Sequence, residues 1–161
     1  MDVGIYPLAM TSAVFGLDIQ EIASVAQVRN GVDEQNAFTF QYADGKTAVM
    51  ASSLTGRMDN ALVINGEMGR VIIGEGDWWR ASRATLVSGG DDIFSFAGIE
   101  DEFYRPYKST GFQFEIEAVQ NHIRAGLKEA PEMPLLESLQ ITRMMDSLRS
   151  KWNVRFEQDE V

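Results

Sequence analysis

The chain has 161 residues, 45% hydrophobic and 24% charged, which is typical of globular proteins. Its formal net charge of -10 repels phosphate backbones and anionic membranes, so neither nucleic acid nor a membrane surface is an expected partner. The absence of cysteine excludes thiolate metal sites and cysteine nucleophiles, and it fits the cytoplasm. We predict a single domain over residues 1–161.

The first predicted element is a helix that begins at or near Asp2 and ends at Phe15. Its apolar residues fit one buried face of a helical repeat. Pro7 lies in the first turn, where a missing N–H costs nothing, and Gly16 provides a left-handed exit. This segment therefore predicts a helix at the very start of the chain.

The middle of the chain alternates apolar and polar residues, which predicts antiparallel strands. The segments AFTFQY and KTAVMASS flank residues 43–45, where Asp-Gly favours a tight hairpin turn. Phe38, Phe40 and Tyr42 share one face of the first strand. A second hairpin is predicted in ALVINGEMGRVIIG, and DWWRASRATLV predicts a longer strand.

Helical periodicity returns after residue 110. An apolar stripe on the second predicted helix comprises Phe112, Ile116, Val119, Ile123 and Leu127. A last helix is predicted from Pro134 to Trp152. Its predicted inner side comprises Leu135, Leu139, Met145, Leu148 and Trp152.

This order of elements indicates the α+β class. We predict a large open, mainly antiparallel sheet with helices packed on one face, leaving the other face available for oligomerisation. A homodimer or higher homo-oligomer through that open face is expected. Candidate residues for the face are Val49, Ala51, Val63, Ile72, Trp78 and Trp79.

Two polar side chains at the start of the chain are candidates for chemistry. Asp2 and Tyr6 are four residues apart, so on a helix they share one face, and Gly4 leaves backbone room beside them. A carboxylate and a phenol placed in this way can bind the hydroxyls of a polyol and exchange a proton. The spacing equally fits a helix cap at Asp2 and a packed tyrosine with a hydrated hydroxyl. His122 is the only histidine, so no metal site is expected.

Several segments taken in order carry a family resemblance: MDVGIYPLAMTSAVFG, GVDEQ, YADGKTAVMASSL, ALVINGEMGRVII, GFQFEIEAVQNHIRAG and MPLLESLQITRMMDSLRSKW. Together they resemble the C-terminal domain of the Gfo/Idh/MocA oxidoreductases, in the branch of glucose-fructose oxidoreductase and dimeric dihydrodiol dehydrogenase. The resemblance covers nearly the whole chain. It implies an enzyme in which an N-terminal Rossmann domain binds NAD or NADP, and the second domain supplies the substrate site and the oligomer contact.

The resemblance also implies roles for residues at the start of the chain. Asp2 matches the aspartate that binds substrate hydroxyls, and Tyr6 matches the proton donor or acceptor. A tyrosine at that position favours a sugar, polyol or diol substrate. The sequence contains neither a Gly-x-Gly-x-x-Gly fingerprint nor a Glu-Lys-Pro motif, so we expect no cofactor-binding residues here and no activity from this chain alone. The alternatives are a non-catalytic oligomerisation or sugar-binding module and a small hydro-lyase or isomerase pocket.

Overall fold

A computed structural model describes residues 1–74 and 78–156, which form two compact units. Unit 1 comprises Met1–Arg57 together with the chain from Glu129 onward, and unit 2 comprises Met58–Lys128. The predicted α+β class with antiparallel pairing is confirmed, and the strands divide into one three-stranded and one four-stranded sheet. No helix in the described part of the chain is long and apolar enough to cross a membrane.

Three α-helices and seven strands make up the described elements. The helices are α1 Ile5–Phe15, α2 Phe112–Arg124 and α3 Leu135–Lys151. The strands are β1 Ile19–Arg29, β2 Val32–Tyr42, β3 Thr47–Ser53, β4 Leu62–Gly66, β5 Gly69–Ile73, β6 Arg83–Gly89 and β7 Phe96–Tyr104.

Helix α1 begins at Ile5, three residues later than predicted. Residues 2–4 form a turn instead, in which the amide of Tyr6 donates to the carbonyl of Val3 at 3.4 Å. Gly4 is a poor helix former, and the nitrogen of Met1 is bound by a side chain of β2, so the chain enters the helix from a fixed point outside it. The helix ends at Phe15 as predicted, and Gly16 has a positive φ of 77°.

The sheet of unit 1 has the strand order β1-β2-β3 and contains the predicted hairpin. At its turn the amide of Tyr42 donates to the carbonyl of Lys46 at 2.9 Å, and Gly45 takes the left-handed conformation with φ 85°. Phe40 of β2 lies opposite Ile22 of β1 and Ala48 of β3. The alternation of β2 therefore places its aromatic residues on one face of the sheet.

That aromatic face forms the core of unit 1. Phe38, Phe40 and Tyr42 are buried against Leu8 of α1 and against α3. The buried residues of α3 are Ile141 and Leu148. The helices of this unit thus cover one face of its sheet, in agreement with the predicted arrangement.

The predicted inner side of α3 is partly wrong. Leu148 is buried, whereas Leu135 and Leu139 in the first turns are exposed. With about 100° of rotation per residue, these two leucines lie about 120° and 160° around the helix from Ile141, while Leu148 lies about 20° from it. The apolar residues of α3 therefore belong to two different faces of the helix, and only one of these faces is buried.

Tyr42 carries a buried hydroxyl that has no hydrogen-bond partner among the described residues, and burial raises the pKa of its phenol above the usual value. We expect Tyr42→Phe to increase the free energy of unfolding by about 1 kcal/mol at pH 7, because it removes an uncompensated polar group. In the unfolded chain the phenol loses its proton near pH 10, before the folded one does. The free energy of unfolding of the wild type should therefore fall as pH rises above 10, and the variant should lack this component. Urea unfolding at pH 7 and pH 10.5 measures both effects, and an identical pH dependence in the two proteins would contradict the assignment.

The sheet of unit 2 has the order β4-β5-β6-β7, and its first pair is the predicted second hairpin. Gly69 has φ 150°, and a Cβ at this position would lie 2.3 Å from the carbonyl oxygen of Val87. Only glycine allows this close approach of two strands.

The predicted strand DWWRASRATLV is only partly correct. Asp77 lies outside the described residues, and Trp78–Arg80 form a short 3₁₀ turn closed by the amide of Ala81 and the carbonyl of Trp78. The strand itself begins at Arg83. The two tryptophan rings meet edge to face at 6.2 Å, and neither residue belongs to a strand.

Helix α2 forms where the periodicity predicts it, and Gly126 with φ 73° follows its end. None of its residues is buried. The five residues of its apolar stripe are each 47–69% exposed.

Candidate active site

The two predicted site residues lie at the beginning of unit 1. Asp2 belongs to the turn before α1, and Tyr6 is the second residue of the helix. Both side chains are exposed, Tyr6 by 53%. Among the described residues no hydrogen bond joins the Asp2 carboxylate to the Tyr6 hydroxyl. Their relative placement is set by the turn at residues 2–4, because only one of the two residues is helical.

A buried polar chain holds this turn in place. The nitrogen of Met1 donates to Oδ1 of Asp33 at 2.8 Å, with both side chains 2% exposed. The side-chain amide of Asn36 donates through Nδ2 to Oδ2 of Asp33 at 2.9 Å, and the Ser52 hydroxyl donates to Oδ1 of Asn36 at 2.8 Å. A buried carboxylate with a cationic partner and a further hydrogen-bond donor is well compensated, so the chain fixes the segment that bears Asp2.

Asp33 is not part of a solvated loop, although the glycine and the acidic residues of GVDEQ are typical of one. Asp33 lies on β2 and is buried. A bulge in β2, where Gln27 pairs with Gln35 but Val28 pairs with Asp33, breaks the period of two and carries Asp33 to the buried face. The period of two predicts burial of Asn36, which shares the face of Phe38 and Phe40, but it places Asp33 on the opposite face.

Gly4 makes room on the inner side of the turn. A Cβ at this position would lie 2.9 Å from Cε of Met1, 3.5 Å from Oγ of Ser52 and 3.6 Å from Nδ2 of Asn36. The space that glycine leaves is therefore filled by the buried polar chain. A Cβ at residue 4 would require the terminal methyl of Met1 to move, whereas its distances to Ser52 and Asn36 are those of ordinary van der Waals contacts.

Helix α1, which carries Tyr6, is anchored on two sides. The hydroxyl of Thr11 lies 2.7 Å from the carbonyl oxygen of Pro7 and 3.0 Å from the sulfur of Met50 on β3. The Ser12 hydroxyl donates to a carboxylate oxygen of Glu137 in the first turn of α3 at 2.5 Å. The Tyr6 hydroxyl is thus an exposed group on a rigidly held helix.

The arrangement offers a carboxylate and a phenol to solvent from adjoining positions. A carboxylate accepts hydrogen bonds from hydroxyl groups, and a phenol can give or take a proton. Within residues 1–74 and 78–156 no group of three or more His, Asp or Glu side chains could hold a metal ion. The chemistry supported by these residues is therefore recognition of hydroxyls combined with proton transfer.

The chain is similar in sequence to known proteins. A family model described as GFO/IDH/MocA C-terminal domain matches residues 1–72. Trans-1,2-dihydrobenzene-1,2-diol dehydrogenase of Oryctolagus cuniculus is 28% identical over 161 residues, which are 99% of this chain and 48% of that protein. The chain spans about half the length of the curated relatives it matches.

Solved structures show the same fold. KijD10, a 3-ketoreductase from Actinomadura kijaniata in complex with TDP-benzene and NADP, superposes with a TM-score of 0.71 at 19% identity, covering 92% of this chain and 45% of that one. Levoglucosan dehydrogenase in complex with NADH and L-sorbose superposes with a TM-score of 0.70 at 13% identity, covering 92% and 47%.

The fold is thus the one found in about half of each of these larger dehydrogenase and ketoreductase chains. The resemblance drawn from the sequence is confirmed, because residues 1–72 match the model of the GFO/IDH/MocA C-terminal domain and the proteins named above are similar to this chain along nearly its whole length.

Proposed function

We propose that this chain supplies the substrate-binding half of an NAD(P)-dependent oxidoreductase that acts on a sugar, polyol or diol. The observation that carries the proposal is the pair of exposed oxygen groups of Asp2 and Tyr6, which lies inside the segment matched by the family model. Two of the named proteins support the substrate class, since one is named for a dihydrobenzenediol and another is bound to L-sorbose.

In this proposal Asp2 accepts hydrogen bonds from substrate hydroxyls and so fixes the carbon that reacts. The Tyr6 hydroxyl gives a proton to a carbonyl oxygen in reduction and takes one from a hydroxyl in oxidation. A phenol becomes a base near neutral pH only when a cation stabilises the phenolate, so a positive group from outside these residues is required. The nicotinamide supplies the hydride chemistry when it is bound.

The residues of this chain do not fit a dinucleotide site of their own. All pairings between the described strands are antiparallel, so the parallel β-α-β unit that cradles a pyrophosphate is not formed within the described ranges. The sequence also lacks the glycine fingerprint. We therefore propose that the chain alone neither binds NADPH nor turns over a diol.

Binding of a diol to the isolated chain tests the proposal without a cofactor. We expect trans-cyclohexane-1,2-diol at millimolar concentration to shift the amide NMR signals of residues 2–6. Asp2→Asn should weaken this binding severalfold, because a neutral amide accepts hydrogen bonds less strongly than a carboxylate. Asp18→Asn is the matched control, since Asp18 is also an exposed acid of unit 1. Shifts confined to other residues, or an equal response of both variants, would contradict the proposed site.

The open face of the three-stranded sheet supports a second part of the proposal, assembly into a homodimer. Val25 and Val49 on this face are 69% and 82% exposed, and Ala51 beside them is also exposed. Burial of such a patch against a second copy would remove apolar surface from water. Sedimentation as a single 18.0 kDa species at high concentration would contradict the dimer.

The cytoplasmic location, which a cysteine-free composition favours, also stays a proposal.

A further inference from the structure

Unit 2 has a concave surface that the proposed function does not use. It is a cavity of about 350 Å³ on one face of strands β5, β6 and β7. Its apolar lining includes Ile72, Val87 and Ile99, and two arginines, Arg70 and Arg83, also line it. Ligand sites commonly combine an apolar lining with a few convergent polar groups in this way.

Arg70 lacks the partners that a partly buried guanidinium normally has. Its guanidinium carbon lies 4.2 Å from the centroid of the Phe96 ring, so one face of the group is held against an aromatic surface. Within the part of the chain that the structure describes, its Nε is buried without a hydrogen-bond partner, and Arg70 forms no ion pair with a carboxylate. Burial of an uncompensated polar group is costly, so its retention calls for a specific reason.

Arg83 on the neighbouring strand, unlike Arg70, has a carboxylate within ion-pair distance. Its Nη1 lies 3.6 Å from Oε1 of Glu102, and its guanidinium lies 5.4 Å from the centroid of the Tyr104 ring. Thr85, between Ile72 and Glu102 in the register, adds a hydroxyl to the same lining. The charged groups of the cavity are therefore two guanidiniums and one carboxylate, which leaves one positive charge on a protein of net charge -10.

We propose that this surface, named here the arginine cradle and lined by Arg70, Ile72, Arg83, Thr85, Val87 and Ile99, binds a small carboxylic acid with an apolar body. The planar guanidinium of Arg70 matches a carboxylate with two parallel hydrogen bonds. The apolar lining receives the rest of the ligand. A single excess positive charge suits a monoanion better than a phosphate dianion. This site lies wholly in unit 2, whereas Asp2 and Tyr6 belong to unit 1, so it does not depend on the proposed oxidoreductase function.

Benzoate and its neutral counterpart benzamide are the probes for the arginine cradle. In a titration of the whole chain followed by amide NMR, benzoate should shift the signals of Ile72, Thr85 and Val87. We expect benzoate to bind about tenfold or more tightly than benzamide, because the two differ in charge and hardly in shape. Arg70→Gln should remove this preference. Arg105→Gln, which changes an exposed arginine of the same unit outside the cavity, should keep it.

Equal affinities for benzoate and benzamide in the wild type would overturn the proposal, and so would shifts located away from the cradle. Arg70→Lys covers the case in which Arg70→Gln fails to fold, which circular dichroism detects. Lysine keeps the charge but loses the planar pair of donors, so the lysine variant should bind benzoate severalfold more weakly than the wild type. Undiminished benzoate binding by Arg70→Lys would contradict the assigned role of the guanidinium.

Discussion

Replacement of Tyr6 by Phe is expected to lower kcat of the NAD(P)-dependent reaction by about 10²–10⁴-fold, with the cofactor-binding part of the enzyme supplied. The substitution removes one oxygen atom from an exposed side chain and no buried contact. The folded state should therefore be unaffected, and the loss should fall on the proton-transfer step. Steady-state kinetics with a diol substrate measure the effect.

Two comparisons separate a role in proton transfer from a general disturbance. Tyr104→Phe is the matched control, because Tyr104 is 55% exposed against 53% for Tyr6, and it should leave kcat unchanged. Asp2→Asn should chiefly raise KM, since the carboxylate is proposed to bind substrate rather than to move the proton. A Tyr6→Phe enzyme with the kcat and pH profile of the wild type would refute the assignment of Tyr6.

Phe40→Ala is expected to lower the free energy of unfolding of unit 1 by about 3–5 kcal/mol. Phe40 is 1% exposed, and its ring lies 5.7 Å from that of Phe38 and 6.5 Å from that of Tyr42. Its removal leaves a cavity at the centre of the sheet, lined by groups that cannot collapse without moving a strand. Leu136→Ala in α3 of the same unit is the control, because Leu136 is 63% exposed, and it should change the free energy by less than about 0.5 kcal/mol.

A signal from unit 1 alone is needed for this measurement, because the two compact units need not unfold together. Trp152 provides it, since its indole N–H donates to the hydroxyl of Ser24 at 3.1 Å inside unit 1. Both other tryptophans, Trp78 and Trp79, lie in unit 2. Urea unfolding followed by fluorescence, in a background where these two are changed to Phe, reports on the Phe40 core. A loss below about 1 kcal/mol would show that Phe40 does not have this central position.

Local patterns predicted the elements of this fold more reliably than their surroundings. The β2-β3 hairpin could be predicted because Asp44 and Gly45 define the turn and the period of two defines the faces. The apolar stripe of α2 predicted a helix correctly, but periodicity does not say whether a partner covers the stripe. The burial of α3 depends on which of two apolar faces meets the sheet, and that is decided by packing between distant segments.

The candidate site shows the same limit. Asp2 and Tyr6 were found through the resemblance, because two polar residues four apart are common on helices. Asp33 was missed because an acidic residue in GVDEQ has every local feature of a solvated loop. Its burial depends on the nitrogen of Met1, 32 residues away, and no short-range pattern contains that information.

The buried contact between Met1 and Asp33 also bears on how the protein is best produced. An affinity tag joined before Met1 turns the ammonium group into an amide, which keeps one N–H donor but removes the positive charge beside a carboxylate that is 2% exposed. A tag joined to the other end of the chain keeps the nitrogen of Met1 as an ammonium and is therefore preferable for any assay of the start of α1.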